Sequence, residues 1–228
     1  TIIKAKEIMQ CDLYQVYGLT ETTGAITIMM PEDHDPKRGK LRSCGKALKG
    51  VELKVVDENG KELKTGEIGQ VISKSDLNMK GYWNKPDATK ESIVDGWFYS
   101  GDAGYFDEEN YLFIHDRVKD MIVSGGENIY PAEVENALMS HEKILDAAVV
   151  GIPDEKWGEA VKAFVVLSDS SLDEDQIISY TRTKIAGYKC PRSINFISEL
   201  PRNPSGKILR RELRDPYWEG IDRKVSGN

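Results

Sequence analysis

Cysteine is scarce in this chain: Cys11, Cys44 and Cys190 stand far apart, with no Cys-x-x-Cys spacing. That excludes a disulfide framework and speaks against a zinc site, so a reducing, cytoplasmic setting is the plain expectation. Long hydrophobic runs are missing too. No segment approaches the roughly 20 apolar residues of a membrane span, and no cationic-then-apolar leader opens the chain, so stable membrane insertion is not expected. Positive charge is in deficit, with a net charge of -7 over 228 residues. A nucleic-acid partner is thereby disfavoured, because neutralising phosphates along a duplex takes a basic face. Lys189, Arg192, Arg202, Lys207, Arg210 and Arg211 form the one local concentration of cations, suited to a small anionic ligand. The first residue is Thr1 rather than Met, which reads as a cut start.

What is present is ordinary globular composition, 39% hydrophobic and 30% charged, enough for one large domain or two small ones. Ile2, Ala5, Ile8 and Met9 fall at helical spacing, and residues 13–16 read as a strand feeding a polar loop. Val51, Leu53 and Val55 alternate with Glu52, Lys54 and Val56, and Asn59-Gly60 offers the positive-φ pair of a tight hairpin. Further short strands are expected at 70–73, 97–99 and 111–114, so the first part reads as β-rich. The rhythm changes near residue 116 to alternating strand and helix. Pro131, Glu133 and Glu135 suit the start of a helix whose apolar stripe is Val134, Ala137 and Leu138. Strands are expected at 144–150, 161–167 and 194–197. Ser171 with Glu174 offers a capping box for a helix ended by Gly187, and a short basic helix starts near Ile208.

Chemistry-bearing residues gather in polar loops: YGLTETTG at 17–24, GWFYSGDAG at 96–104, DRVKDMIVSGGENIYPAEVE at 116–135 and PRNPSGK at 201–207. Recurrent hydroxyls, carboxylates and cations suit a phosphorylated ligand, yet the chain has no Gly/Ser/Thr-rich phosphate loop. In this joint order the four segments resemble signatures of the adenylate-forming superfamily, and the chain is similar over essentially its whole length to the carboxyl-terminal portion of an acyl-CoA synthetase. MKGYWNKPDATKE at 79–91 and LRRELRDPYWEG at 209–220 look most like bacterial fatty-acyl-CoA synthetases.

The resemblance implies an α+β fold. Residues 1–118 would be the β-rich carboxyl-terminal part of the large ATP- and acyl-binding domain, and residues 119–228 a small mobile α+β domain with a short sheet flanked by helices. It implies a two-step ligation in which a carboxylic acid and ATP give an acyl-adenylate and pyrophosphate, and the thiol of coenzyme A then displaces AMP. By similarity Glu21 would hold Mg²⁺, Thr20 would donate to a phosphate oxygen, and Tyr17, followed by Gly18, would lie against the adenine. Asp102 and Arg117 would meet the ribose, Arg117 also reaching the phosphate, and Lys207 would bridge carboxylate and phosphate oxygens. Lys119 would be the pivot of the small domain. Gly125 and Gly126 would pass close to the pantetheine arm, Lys189 and Arg192 would meet the 3′-phosphate and pyrophosphate of coenzyme A, and Trp157 would lie near its nucleotide. Taken singly, several of these residues have plainer readings: Asp102 a turn former, Arg117 a surface ion pair, Lys119 a solvated lysine, Gly125-Gly126 a sharp turn, and Lys189 and Arg192 solvated charge.

The expected substrate is a medium- or long-chain fatty acid, for which Gly24 and Ala25 leave room, with aryl acids second. A carrier protein as acceptor is the next alternative, and a non-catalytic binding fragment the last, because the phosphate loop and most of the acyl pocket would lie upstream. A homodimer stays open. Without its upstream neighbours the β-rich part is expected to expose apolar surface.

Overall fold

The computed structural model describes residues 2–169 and 171–221. The chain divides into two compact units, one ending at Val118 and the other beginning at Lys119.

The first unit holds α1 (Ile2–Met9), β1 (Gln15–Leu19), β2 (Gly24–Met29), β3 (Lys46–Ala47), β4 (Glu52–Val56), β5 (Gly69–Lys74), α2 (Pro86–Ser92), β6 (Ile93–Val94), β7 (Trp97–Phe106) and β8 (Leu112–Arg117). Its strands make a three-stranded sheet, β1-β2-β3, and a five-stranded sheet, β4-β5-β7-β6 with β8 also paired to β7. The pairs are antiparallel, as short connections allow. Val55, Val71 and Leu112 form a buried cluster, with Tyr17, Leu53 and Phe106 packed against it. α1 forms as its spacing predicts but buries none of its residues, and Ile8 is 71% exposed. Tyr14 and Val16 are exposed beside it.

One turn differs from expectation. Of Asn59 and Gly60 only the glycine has positive φ, at 78°. Asp57 closes the loop, its N–H donating to the Lys61 carbonyl while its Oδ1 accepts from the amides of Asn59 and Lys61. This is a three-residue loop ending on a left-handed glycine rather than a two-residue turn, because the Asp57 side chain supplies the acceptor that a tighter ladder would have used. The main antiparallel partner of β4 is β5, which starts only at Gly69.

The second unit holds β9 (Ile122–Ser124), β10 (Glu127–Ile129), α3 (Pro131–Met139), β11 (Ile144–Asp154), β12 (Gly158–Leu167), α4 (Glu174–Arg182), β13 (Ser193–Phe196) and α5 (Arg210–Arg214). The sheet order is β10-β9-β12-β11, with β13 parallel to β12. One face packs α3 and α4 through Val134, Leu138 and Ile177 against Ile122, Val149, Val161 and Val165. The other buries Ala148, Val150, Phe164 and Leu200 under Ile208, Leu213 and Tyr217. A sheet covered on both faces explains why β11 and β12 read as near-continuous apolar runs rather than alternating ones.

Two helix ends were misplaced by the sequence. The capping box of α4 is Asp173 with Gln176, whose amides and side chains exchange bonds of 2.8 and 3.0 Å. Ser171 lies outside the helix and accepts from Lys143 Nζ. The helix ends at Arg182 rather than at Gly187, because the amides of Thr183 and Lys184 bond back three residues and tighten the last turn.

Leu138 is fully buried in the larger core of the second unit. Leu138→Ala should therefore cost this unit about 2–5 kcal/mol, read as a lower urea midpoint with an unchanged slope.

Candidate functional site

The predicted residues fall into two groups, one in each unit. In the first unit β7 and β8 pair so that Asp102 and Arg117 stand directly opposite. Gly101, at φ 71°, turns the strand just before Asp102. Ser100 steadies the turn: its hydroxyl donates to Val71 O at 2.6 Å and accepts from the Asp102 amide at 3.0 Å. The Asp102 carboxylate, 8% exposed, is met from two directions. Tyr17 Oη donates to Oδ2 at 2.6 Å, and Arg117 Nε lies 2.9 Å from Oδ1. Arg117 also reaches Ser100 O at 3.4 Å. Burial, reinforced by the Asp102 carboxylate, holds the Tyr17 phenol well above the ordinary tyrosine range, so it stays a donor. Each carboxylate oxygen keeps lone-pair capacity beyond these bonds, so the group can still accept from vicinal hydroxyls.

Tyr17 is carried on β1, whose partner β2 follows the 3-10 turn Thr20–Thr22. Buried Thr22 pins that turn, accepting from the Leu19 amide and donating to Gly24 O at 2.7 Å. Gly18 has a packing reason of its own, since a Cβ there would sit 1.9 Å from Gly24 O. Thr20 is exposed at the start of the turn. Glu21, half-buried, accepts from Tyr82 Oη at 2.9 Å. Among the described residues no group of three or more His, Cys, Asp or Glu forms a metal cage. A lone half-buried carboxylate fits Mg²⁺ in the usual nucleotide manner, where one or two carboxylates act with phosphate oxygens and water.

In the second unit Gly125 and Gly126 are the two central residues of the β9–β10 hairpin, both at positive φ (63° and 85°). The plainer reading of the pair as a tight turn therefore holds. Trp157 lies against it: the Gly125 amide donates to Trp157 O at 2.8 Å, and a Cβ on Gly125 would come within 2.7 Å of the indole. Arg192 and Lys156 lie over the same ring, at 5.0 and 4.7 Å from its centroid. The turn, an aromatic face and two cations thus share one corner, which fits an anionic ligand with a flat heterocycle.

The cation cluster read from the sequence is not one patch. Lys189 Nζ contacts both Glu133 oxygens at 2.7 and 2.8 Å, Arg202 pairs with Asp146, Arg210 with Glu135, and Arg211 with Asp215. For Lys189, Arg202 and Arg210 the carboxylates are 56 to 75 residues away in sequence, while Arg211 meets one four residues on. Lys207 is exposed on a loop shaped by Asn203, whose Oδ1 accepts from the amides of Ser205 and Lys207. Lys119 lies in the 3-10 turn Val118–Asp120, where the second unit begins.

Residues missed by the sequence are supporting ones. Tyr82 on Glu21 and Ser100 under Asp102 touch partners 61 and 2 positions away. Both lie inside quoted segments, 79–91 and 96–104, and that placement is the signal that could have found them.

Residues 1–83 match the model of the AMP-binding enzyme family, and residues 133–207 match that of the AMP-binding enzyme C-terminal domain. The chain belongs to the AMP-binding enzymes. It is 45% identical over 220 residues to the fatty acid acyl-carrier-protein ligase ScoC of Streptomyces coeruleorubidus, covering 96% of this chain and 42% of that protein. Identity to the long-chain-fatty-acid–CoA ligase FadD13 of Mycobacterium tuberculosis is 43%, covering 95% of this chain and 42% of the relative. Among solved structures, o-succinylbenzoate CoA synthetase of Bacillus subtilis, in complex with its acyl-adenylate intermediate, superposes with a TM-score of 0.84 at 38% identity, over 94% of this chain and 43% of that one. The same Bacillus enzyme is also known in complex with ATP and a magnesium ion. The chain therefore spans about two fifths of the length of these relatives.

The raised Tyr17 pKa has a consequence for stability. A phenol that keeps its proton longer folded than unfolded stabilises the fold fully below its ordinary value of 10.0 and progressively less as pH rises above it. Urea unfolding between pH 9 and 11 should therefore show a declining stability whose slope is smaller in Tyr17→Phe. An equal slope in both proteins would mean that the phenol is not held this way.

Proposed function

We propose that the protein to which this chain belongs ligates a carboxylic acid to coenzyme A at the expense of ATP, through an acyl-adenylate. The observation that carries the reading is the buried Asp102 carboxylate held between Tyr17 and Arg117, on a chain of the AMP-binding enzymes. Asp102 would accept from the ribose hydroxyls of ATP, and Tyr17, anchored by that same carboxylate, would offer its ring to the adenine. Arg117 serves the ribose and the phosphate. Thr20 would donate to a phosphate oxygen from its exposed place on the turn. Glu21 would hold Mg²⁺, which when bound supplies charge neutralisation of the phosphates.

Bringing a carboxylate towards an α-phosphate joins two anions. Lys207 is the cation proposed to stand between them, and its ammonium group stabilises the charge that is redistributed in the first step. Lys119, where the second unit begins, is the proposed pivot. Coenzyme A would meet the corner of Gly125, Gly126, Trp157 and Arg192, whose cations suit its phosphates and whose ring suits its base. Lys189, already held by Glu133, would assist there only by giving up that partner. The remaining parts of the site would lie in the three fifths of the relatives' length that this chain does not span, so these 228 residues alone are expected to be inactive. No described helix is long and apolar enough to cross a membrane. Three free thiols suit the cytoplasm as the working compartment.

A medium- or long-chain fatty acid is the proposed substrate, supported by the names of two relatives; the succinylbenzoate enzyme keeps an aryl acid as the second reading. ScoC, named for a carrier-protein acceptor, supports a third variant in which the thiol is protein-bound. Pyrophosphate release by the full-length protein, screened against fatty, aryl and short acids, should be fastest with fatty acids; release with none of them would refute the reaction itself. In that protein Lys207→Ala should depress adenylate formation by about 10²-fold or more, as for loss of one transition-state donor, while thioester formation from preformed acyl-adenylate persists. Equal loss in both steps would contradict the role given to Lys207.

A further inference from the structure

What fixes Lys207 in space is not obvious from its own loop. The helix that follows, α5, has five residues and buries none of them, and a helix so short does not hold itself in water. Leu213 gives it one apolar contact, against the cluster of Ala148, Val150, Phe164 and Leu200. Its arginines add ionic attachment. Arg210 grips Glu135 with both ends of its fork, Nε to Oε1 at 3.1 Å and Nη2 to Oε2 at 2.7 Å. Its Nη1 lies 3.9 Å from one oxygen of Asp120, and Arg214 Nη1 lies 3.6 Å from the other. Glu135 Oε1 also accepts from the Val149 amide at 2.9 Å, which brings β11 into the same knot. The side chains of Asp120 and Glu135 are 13% exposed and those of the two arginines 20%, and Arg214 Nη2 also lies 3.4 Å from Asp215 Oδ1.

This arrangement joins two places that matter. Asp120 is the residue after Lys119, where the second unit begins, and Arg210 is three residues past Lys207. We propose that Arg210 and Arg214, through Asp120 and Glu135, are positioning residues for Lys207. They clamp the base of its loop to the first turn of the unit, so that Lys207 is delivered in a fixed place whenever that unit turns. The inference rests on the reading of Lys207 as the cation of the adenylation step. Bidentate geometry is what makes Arg210 suited to the task, since a point charge would restrain direction far less.

The test uses the full-length protein with Arg210→Met, Arg210→Lys, Glu135→Gln and Lys207→Ala, each assayed for adenylate formation and, separately, for thioester formation from preformed acyl-adenylate. Arg210→Met and Glu135→Gln should slow adenylate formation by about 10–100-fold, the scale of a misplacement of about 1 Å, with KM for ATP and acid little changed. Thioester formation should stay within about twofold, Arg210→Lys should recover part of the loss, and trypsin should cut after Lys207 faster in Arg210→Met. The proposal is overturned if adenylate formation is untouched, or if both steps fall together in Arg210→Met and Glu135→Gln, which would mark the cluster as merely structural. Lys207→Ala separates the two ideas: if it alone abolishes adenylate formation, only the positioning role has failed, whereas a fully active Lys207→Ala refutes the reading of Lys207 beneath it.

Discussion

A carboxylate withdrawn from water must be met by donors, and the first unit is arranged so that Asp102 is met by two. Tyr17 arrives on β1 of one sheet and Arg117 on β8 of another, so this contact ties the two sheets of that unit together. Removing one donor would leave a charge in a poorly hydrated place, which costs more than the pair contributes when intact. The Ser100 hydroxyl and the left-handed Gly101 serve that same carboxylate, one by bonding its amide and the other by turning the strand towards it.

The second unit solves a different problem by similar means. Its core is a sheet covered on both faces, rigid enough to present exposed groups without burying them. At Lys207 the amide bonds Asn203 while neighbouring Ile208 packs on the core, and at the Gly125-Gly126 turn the Gly125 amide bonds Trp157 O while the indole lies against it. Lys207 and both glycines stay exposed on that support.

Much of the fold was legible because period and burial agree. α1, α3, β5 and the cores of β11 and β12 lie where the apolar pattern puts them. The misplacements are local, and the 57–61 turn and the start of α4 share a cause. Asp57 and Asp173 side chains compete for backbone amides, and the winner depends on hydrogen-bond geometry that residue type alone does not express. The site was legible in part for another reason: Asp102 and Arg117 stand in motifs whose residue types suit a nucleotide, and the strand register then made them opposite neighbours.

The sequence by itself pointed to the family through motifs that resemble its signatures, and through spacing to a β-rich part followed by an alternating part and to the loops that carry polar groups. Tertiary structure alone decided which charges are spent. Lys189, Arg202 and Arg210 look like one cationic surface in the sequence, yet each meets a carboxylate supplied by the fold, at separations of 56, 56 and 75 residues. Electrostatic pairing depends on distance in space, which falls off over a few ångströms and bears no fixed relation to distance along the chain.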